Sequence, residues 1–369
     1  MIDWLTVGVY LDVDAPARPL PCDTLCVLKE GGEISLIRDV KHPVEGSHDS
    51  KVYVWRSSIH PRPPHEGDKQ RYTGLMPGLV ISGNPAKFFQ GHNLFGSCDA
   101  RGLAIAMCSK VLESLDYPLV ESEASALSKG LLLLQRVDCT AMLDYETNEN
   151  ALDVLRHFER VGSVGRLGKA TSHGHTVYYG ERSRRWQLKG YPKGLEIDKK
   201  GHQLSKKAIE DVEQQRLLWE YAQGAVRLEL ELKAPELLRR NLWLAWGWTP
   251  ETGPRELLKA LEGVEMPLNV RMGELAVEGL PERLEKVYRL WSAGEDVRVY
   301  YSRMSVYRHR KDLLGFGIDI LRPPYGQEFN APRPANVVPF VRVYEGKLKG
   351  IPDWALGTPL YFEPSEAVG

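Results

Sequence analysis

The sequence is short of net charge, of cysteine and of long apolar runs, and each shortage excludes a class of protein. Lysine and arginine number 48 against 49 aspartates and glutamates, a net charge of −1. Affinity for a polyanion must therefore come from local clustering of charge. The five cysteines, Cys22, Cys26, Cys98, Cys108 and Cys139, are odd in number and scattered. Cys22 and Cys26 lack the second pair of a zinc site, and the set reads as reduced thiols of a cytosolic protein. No apolar run reaches the roughly 18 residues of a membrane helix, so no membrane span is expected. The opening MIDWLTVGVYL carries Asp3 and no basic residue, unlike a secretory signal. Internal repeats, a Walker loop and a GxGxxG fingerprint are all missing, which removes solenoids and the common nucleotide cradles.

What is present suits two domains: 369 residues, 43% of them hydrophobic. Charge clusters in one place, residues 166–207, with 11 Lys or Arg against 3 Asp or Glu. Its centre, residues 176–197, reads TVYYGERSRRWQLKGYPKGLEI. Period-2 spacing puts Trp186, Leu188 and Gly190 on one strand face and Gln187, Lys189 and Tyr191 on the other. Pro192 biases Tyr191 towards extended backbone. A tyrosine among cations suits attack on a phosphodiester, because cations favour phenolate and hold phosphate oxygens. A surface tyrosine in a basic loop is the plain alternative.

Two more strands carry acids where propensity disfavours them. In residues 135–141, QRVDCTA, Val137, Cys139 and Ala141 face the core, and Arg136, Asp138 and Thr140 share the other face. In residues 226–233, VRLELELK, Val226, Leu228, Leu230 and Leu232 bury, leaving Arg227, Glu229, Glu231 and Lys233 opposite. Solvent on an open face explains such charges; a polar face bearing Asp138, Tyr191 and Glu229 makes a metal-and-tyrosine site. His92, in the turn Gly91-His92-Asn93, is either a hydrogen-bonded structural residue or part of a site loop. His173 and His175 flank one glycine and can hold an ion from a strand, although glycine weakens a strand there.

Helical spacing marks residues 102–115, 124–134, 151–161 (with Asn148 and Asn150 as N-caps) and 203–223. After about residue 240 the character turns helical: 254–263, 281–293 and 295–314. The last run carries YYSRMSVYRHRKDLL, with Arg298, Arg303, Arg308, Arg310 and Lys311. It reads as a DNA-facing, partner-facing or merely solvated helix.

An ordered set of motifs resembles the replication initiators of filamentous bacteriophages, the phage/plasmid replication II/X family. The set comprises MIDWL, PAKFFQGHNLFG (85–96), RVDCT (136–140), the NEN of 148–150, the tyrosine segment, AQGAVRLELELK (222–233), YRHRKDLLGFGIDI, NVVPFVR and PDW. The resemblance implies a rolling-circle initiator. Such a protein nicks one strand of the double-stranded replicative form at the origin through a 5′-phosphotyrosine and later rejoins the displaced strand as a circle. It also implies Mg²⁺, with Mn²⁺ as substitute, a host helicase and polymerase, the host cytoplasm, no membrane, and an oligomeric state on the origin left open. Carried onto this sequence, Tyr191 attacks with Lys189 and Arg185 on the phosphate. Arg182, Arg184, Lys193 and Lys169 contact DNA, and Asp138, Glu229 and His92 hold the ion. His173-Gly174-His175 does not match the family, so the ligand set stays open between the two groups.

The fold expected is α+β. A central, mostly antiparallel sheet has helices on one face, as in rolling-circle initiator nucleases, over residues 1–240; a mostly helical region follows over 241–369. The rival functions are a plasmid or mobile-element relaxase and a non-catalytic origin-binding regulator.

Overall fold

The computed structural model describes residues 1–12, 14–15, 18, 24–46, 50–59, 76–161, 163–164, 168–199, 211–262, 269–271, 281–314, 320–321 and 343–364. The proline-rich turn at 60–68 lies outside them, as do residues 203–210 of the expected helix.

The strands in chain order are Ile2–Tyr10 (β1), Thr24–Leu28 (β2), Ile34–Asp39 (β3), His42–Glu45 (β4), Lys51–Ile59 (β5), Met76–Gly83 (β6), Leu133–Asp144 (β7) and Ser163–Val164 (β8). Gly168–Lys169 (β9), Thr171–His173 (β10), Thr176–Tyr179 (β11), Trp186–Pro192 (β12), Ala225–Lys233 (β13), Asn269–Arg271 (β14), Val343–Glu345 (β15) and Lys347–Leu348 (β16) follow. The helices are Pro85–Gln90 (α1), Ala100–Ser114 (α2), Glu121–Ser128 (α3), Asn148–Val161 (α4), Lys193–Ile197 (α5), Val212–Ala222 (α6), Ala234–Arg239 (α7), Thr252–Glu262 (α8), Glu282–Ser292 (α9), Val297–Tyr300 (α10) and Arg303–Leu314 (α11).

One large sheet runs β10-β11-β12-β13-β7-β1-β6-β5-β4, with β16 added beside β7. All its pairings are antiparallel, as expected from alternating rather than uniformly apolar strands. Leu5, Val7 and Val9 of β1, Val137 and Cys139 of β7, and the leucines of β13 turn to one face. They join Leu103, Ala104, Met107, Val154, Leu155, Phe158 and Leu257 from α2, α4 and α8 in a single core. The fold is α+β.

Local chemistry sets the element ends. Asp99 caps α2 by accepting from the Gly102 N–H at 2.9 Å. Helix α3 stops at Ser128 and β7 begins at Leu133, where a helix over 124–134 was expected; Gly130, at φ +71°, turns the chain left-handed between them. Thr147, rather than Asn148 or Asn150, stands ahead of α4 and accepts from the Asn150 N–H at 3.2 Å. Asn148 instead accepts from the Gly224 N–H at 2.9 Å. Gly224 sits at φ +66°, with a would-be Cβ only 2.5 Å from the Glu146 backbone.

The sheet's core continues past the change of character near residue 240, through Ala245, Trp248, Leu257 and Ala260. The chain also returns to this unit near its end. Strand β16 pairs with Asp144 and Leu143, and the rings of Phe89 and Phe362 stack 4.0 Å apart. A second apolar cluster joins Leu94 and Phe95 with Ile197, Leu218, Ala222, Ala355 and Leu360. Between these stretches, α9, α10 and α11 form a unit with its own core of Leu284, Val287, Val297, Val306, Leu313 and Ile320.

Candidate active site on the polar sheet face

Antiparallel pairing stacks residues opposite each other on one face. Lys189 lies opposite Glu229, and Glu229 opposite Thr140; Gln187, Glu231 and Asp138 form the next row, and Tyr191, Arg227 and Met142 the row on the other side. A bulge between Ile2 and Trp4 of β1 adds Asp3 to this face, since one extra residue re-aims a strand. The face is charged yet largely covered: Arg227 is 0% exposed and Glu229 2%. Its rim is open at Lys189 and Arg136, whose side chains are 27% and 35% exposed.

Tyr191 stands at the centre. Its hydroxyl donates to Glu229 Oε1 at 2.5 Å. Glu229 Oε2 lies 2.5 Å from Lys189 Nζ, and Oε1 also accepts from Arg227 Nε at 2.8 Å. Lys189 and Lys193 each sit 5.7 Å from the Tyr191 ring centre. Burial pushes the phenol well above 10; the Arg227 guanidinium pulls it back, and Glu229 adds to the rise. Cations alone therefore do not make Tyr191 a phenolate, contrary to the expectation from sequence: desolvation outweighs them. The proton must go to a base, and Glu229 is hydrogen-bonded to it. Lys189 stays a cation: burial opposes its charge, and Glu229 more than offsets that.

Arg227 ties this pair to the opening strand. Its NH2 group lies 2.7 Å from Asp3 Oδ1, and NH1 donates to the Asn93 carbonyl. Asp3 Oδ1 also accepts from Asn84 at 2.7 Å and Asn93 at 2.9 Å. Burial alone would raise the Asp3 carboxyl, but Arg227 and the two amides hold it at about 2, below the usual 3.8. Between those values the unfolded chain binds the extra proton, so stability rises with pH through this window. Asp3 thus contributes about 2 kcal/mol, present above pH 4 and lost as pH falls towards 2. Denaturant midpoints from pH 2 to 5 should show that fall, and Asp3→Asn should flatten it; equal slopes in both proteins would remove Asp3 from the network.

The ion ligands expected from the sequence are each engaged elsewhere. His92 is buried; its Nε2 donates to the Leu360 carbonyl at 2.9 Å, and its Nδ1 accepts from the Leu94 N–H at 3.3 Å. It fastens a loop to the returning chain rather than facing Tyr191. Asp138 accepts two bonds from Arg136, at 2.8 and 2.6 Å, and burial pushes its carboxyl up to about 7 against that guanidinium's pull. Glu231 is held by Gln187 at 2.7 Å and Arg136 at 3.3 Å. Among the described residues no three of His, Cys, Asp and Glu converge to hold a metal ion. Asp138 and Glu229 share the face, but each is already neutralised by Lys or Arg, so the arrangement does not fit a ready-made divalent site. His173 and His175 do not converge either. Gly174, at φ +62°, is a hairpin turn, and His173 instead meets Glu181 at 2.8 Å.

The expected DNA-contacting cations divide. Lys189 reaches the tyrosine. Lys193 does too, but it is buried and paired to Glu196 at 2.5 Å, so it supports the ring rather than offering itself to a phosphate. Arg185 lies beyond the far end of β12, bound to the buried Glu236 at 2.9 Å. It does not meet Tyr191, because the strand extends roughly 3.3 Å per residue between them. Arg182 and Arg184 are exposed in the turn before β12. Lys169 lies on β9, opposite Ser163; its side chain is outside the described residues. Asp3 and Arg227 were the residues not singled out. The signal was an acid inside an apolar first strand, the same oddity that drew attention to Asp138.

Family models for the N-terminal and C-terminal parts of a replication-associated protein, the phage gene II protein, match residues 1–251 and 282–365. The replication-associated protein of this kind from Enterobacteria phage I2-2 is 33% identical over 357 residues, 95% of each chain. That of Enterobacteria phage M13 is 27% identical over 347 residues, 79% of each. A solved rolling circle replication initiator protein from Geobacillus stearothermophilus aligns with a TM-score of 0.32 at 14% identity, over 74% of this chain and 87% of that one. That likeness is too loose to argue from.

Proposed function

The chain belongs to the gene II family of phage replication-associated proteins, and from that premise we propose that it starts rolling-circle replication by nicking one strand of a phage origin with Tyr191. One observation carries the chemistry: the Tyr191 hydroxyl is hydrogen-bonded to Glu229, beside a lysine at the rim of the sheet face.

Glu229 takes the phenol's proton as the oxygen forms its bond to phosphorus. The P–O3′ bond breaks, the departing oxygen takes a proton from water, and a 5′-phosphotyrosine remains. Lys189 leaves Glu229 for a non-bridging oxygen, so the incoming phosphate replaces one anion with another at that ammonium. One phosphodiester is exchanged for another, so the step reverses. A 3′ hydroxyl attacks phosphorus and gives its proton to water, the bond from phosphorus to Tyr191 breaks as the phenol takes the proton from Glu229, and the displaced strand closes into a circle. The free 3′ end would serve a host polymerase behind a host helicase, in the host cytoplasm. Among the described residues no helix is long and apolar enough to cross a membrane.

Mg²⁺, or Mn²⁺ in its place, is proposed from the family chemistry rather than from this arrangement; it would supply charge to the scissile phosphate. The test is incubation of the full chain with supercoiled replicative-form DNA and Mg²⁺. A single nick at the origin, with the DNA 5′ end on a peptide containing Tyr191, is expected, and EDTA should stop nicking without preventing binding. An adduct on another residue, or nicking without an adduct, would overturn the reading.

A further inference from the structure

The sheet face that carries Tyr191 does not end at Glu229 and Lys189. Strands β1, β6 and β5 continue it, and there it changes character. Asp138 lies opposite Trp4 of β1. In the next row Arg136 lies opposite Thr6, Thr6 opposite Ser82, and Ser82 opposite Tyr53 of β5. One row further, Val80 lies opposite Trp55. The strand neighbours Val52, Val54, Leu79 and Ile81 turn to the core, so Trp4, Tyr53 and Trp55 stand on the side away from it. Tyr53 is 38% exposed, and the two tryptophans are half-buried. Among the described residues none of the three rings belongs to an apolar core.

Each tryptophan has a cation beside its ring. Lys41 Nζ stands 4.4 Å from the Trp55 ring centre, and the Arg136 guanidinium 5.5 Å from that of Trp4. Trp4 is also fixed in place, because its indole N–H donates to Ser82 Oγ at 3.1 Å. Between Trp4 and Tyr53 the face carries small hydroxyls, Thr6 and Ser82, 2.8 Å apart. The acids nearby are withdrawn: Asp3, Asp138, Glu229 and Glu231 are each at most 8% exposed. The cations are not. The side chains of Lys189 and Arg136 are 27% and 35% exposed, and Lys41 is exposed. A polyanion crossing the face therefore meets cations and rings, with the acids beneath them. Such interleaving suits an unpaired nucleic-acid strand, whose phosphates take the charge and whose bases stack on the rings. In a duplex the base faces are already stacked on one another, so rings spread over an open sheet offer it little.

We infer that this face is a track for single-stranded DNA, running from Tyr191 past Lys189 and Trp4 to Tyr53 and Trp55. Bases on one side of the scissile phosphate stack on the three rings, and Arg136 and Lys41 face the phosphates between them. With strands about 4.8 Å apart and rows about 6.6 Å apart, the diagonal from Tyr191 to Trp55 is on the order of 30 Å, several nucleotides long. This rests on the reading that Tyr191 cuts a DNA strand, and it adds what holds that strand in line for cutting and rejoining.

The test uses the full chain with Tyr53→Ala and Trp55→Ala combined, both on β5 and away from the reacting atoms. Binding is measured in EDTA, so that no strand is cut. The ligands are a single-stranded oligonucleotide centred on the cleavage site, versions trimmed from either end up to that site, and the same sequence as a duplex. A stacked base is worth about 5- to 150-fold, so the double variant should lose at least about 25-fold on the full oligonucleotide. Its salt slope should not change, because no phosphate contact is removed. Trimming one end should erase the difference from wild type, and trimming the other should keep it. Duplex affinity should be unchanged. Tyr53→Phe combined with Trp55→Phe should stay within about threefold of wild type, since a ring remains to stack. Wild-type affinity of the alanine variant for the full oligonucleotide would overturn the inference. So would an equal loss on the duplex, an equal loss in the phenylalanine variant, or a loss that survives trimming of both ends. If wild-type protein forms no Tyr191 adduct in Mg²⁺, the nicking reading falls, while binding in EDTA still decides this one.

Discussion

Replacing Tyr191 with phenylalanine should abolish the covalent protein–DNA adduct and reduce nicking at least 10³-fold, leaving origin binding within about twofold. Phenylalanine keeps the ring against Lys189 and Lys193 and removes only the oxygen that bonds to phosphorus. The fold should tolerate the change. Glu229 Oε1 keeps its bond from Arg227 at 2.8 Å, so the loss is one hydrogen bond, about 1 kcal/mol. The neighbouring tyrosines are poor stand-ins: Tyr179 donates to the Phe158 carbonyl at 2.9 Å, and Tyr178 packs edge-on against His173. Single-turnover nicking and gel-shift measurements on the two proteins decide the matter. Wild-type nicking by the variant would strip Tyr191 of its role.

Glu229→Gln should slow adduct formation by about 10²- to 10⁴-fold, the usual worth of a positioned general base. It should also change the shape of the pH profile. With no base at hand, a phenol held well above 10 loses its proton only as hydroxide accumulates. The variant's rate should therefore climb about tenfold per pH unit, until ionisation of the unfolded chain's tyrosines above pH 10 erodes the fold. A purely structural Glu229 would lower the amount of active protein without this slope. The substitution also leaves Lys189 and Arg227 without a shared carboxylate, a loss on the order of 3–5 kcal/mol if Asp3 does not compensate. Thermal unfolding of the variant reports that cost separately. An unchanged rate and an unchanged pH profile together would return Glu229 to scaffolding.

The candidate site was half legible in the sequence. Alternation is a local property, so Gln187, Lys189 and Tyr191 in β12 and the charged positions of β13 fell on the expected face. Which of them touch is set by register, and register depends on strands far apart in the chain. Nothing near Tyr191 says that Glu229 lies in the adjoining row. Asp3 needed both the β1–β7 pairing and its bulge. His92 was weighed as a ligand because its partner, the Leu360 carbonyl, is 268 residues away in the chain. Arg185 and Tyr191 are near in sequence but separated along an extended strand, the reverse error. Element ends slipped where one residue decides, as at Gly130 and at the break by Tyr301.

The return of residues 343–364 to the sheet unit has a consequence for synthesis. Leu360 fixes His92, and the next residue, Asn93, holds both Asp3 and Arg227 beside Tyr191. A ribosome has therefore translated at least to residue 360 before the surroundings of Tyr191 are finished. Polypeptides that stop short of residue 360 carry the tyrosine without this bracing.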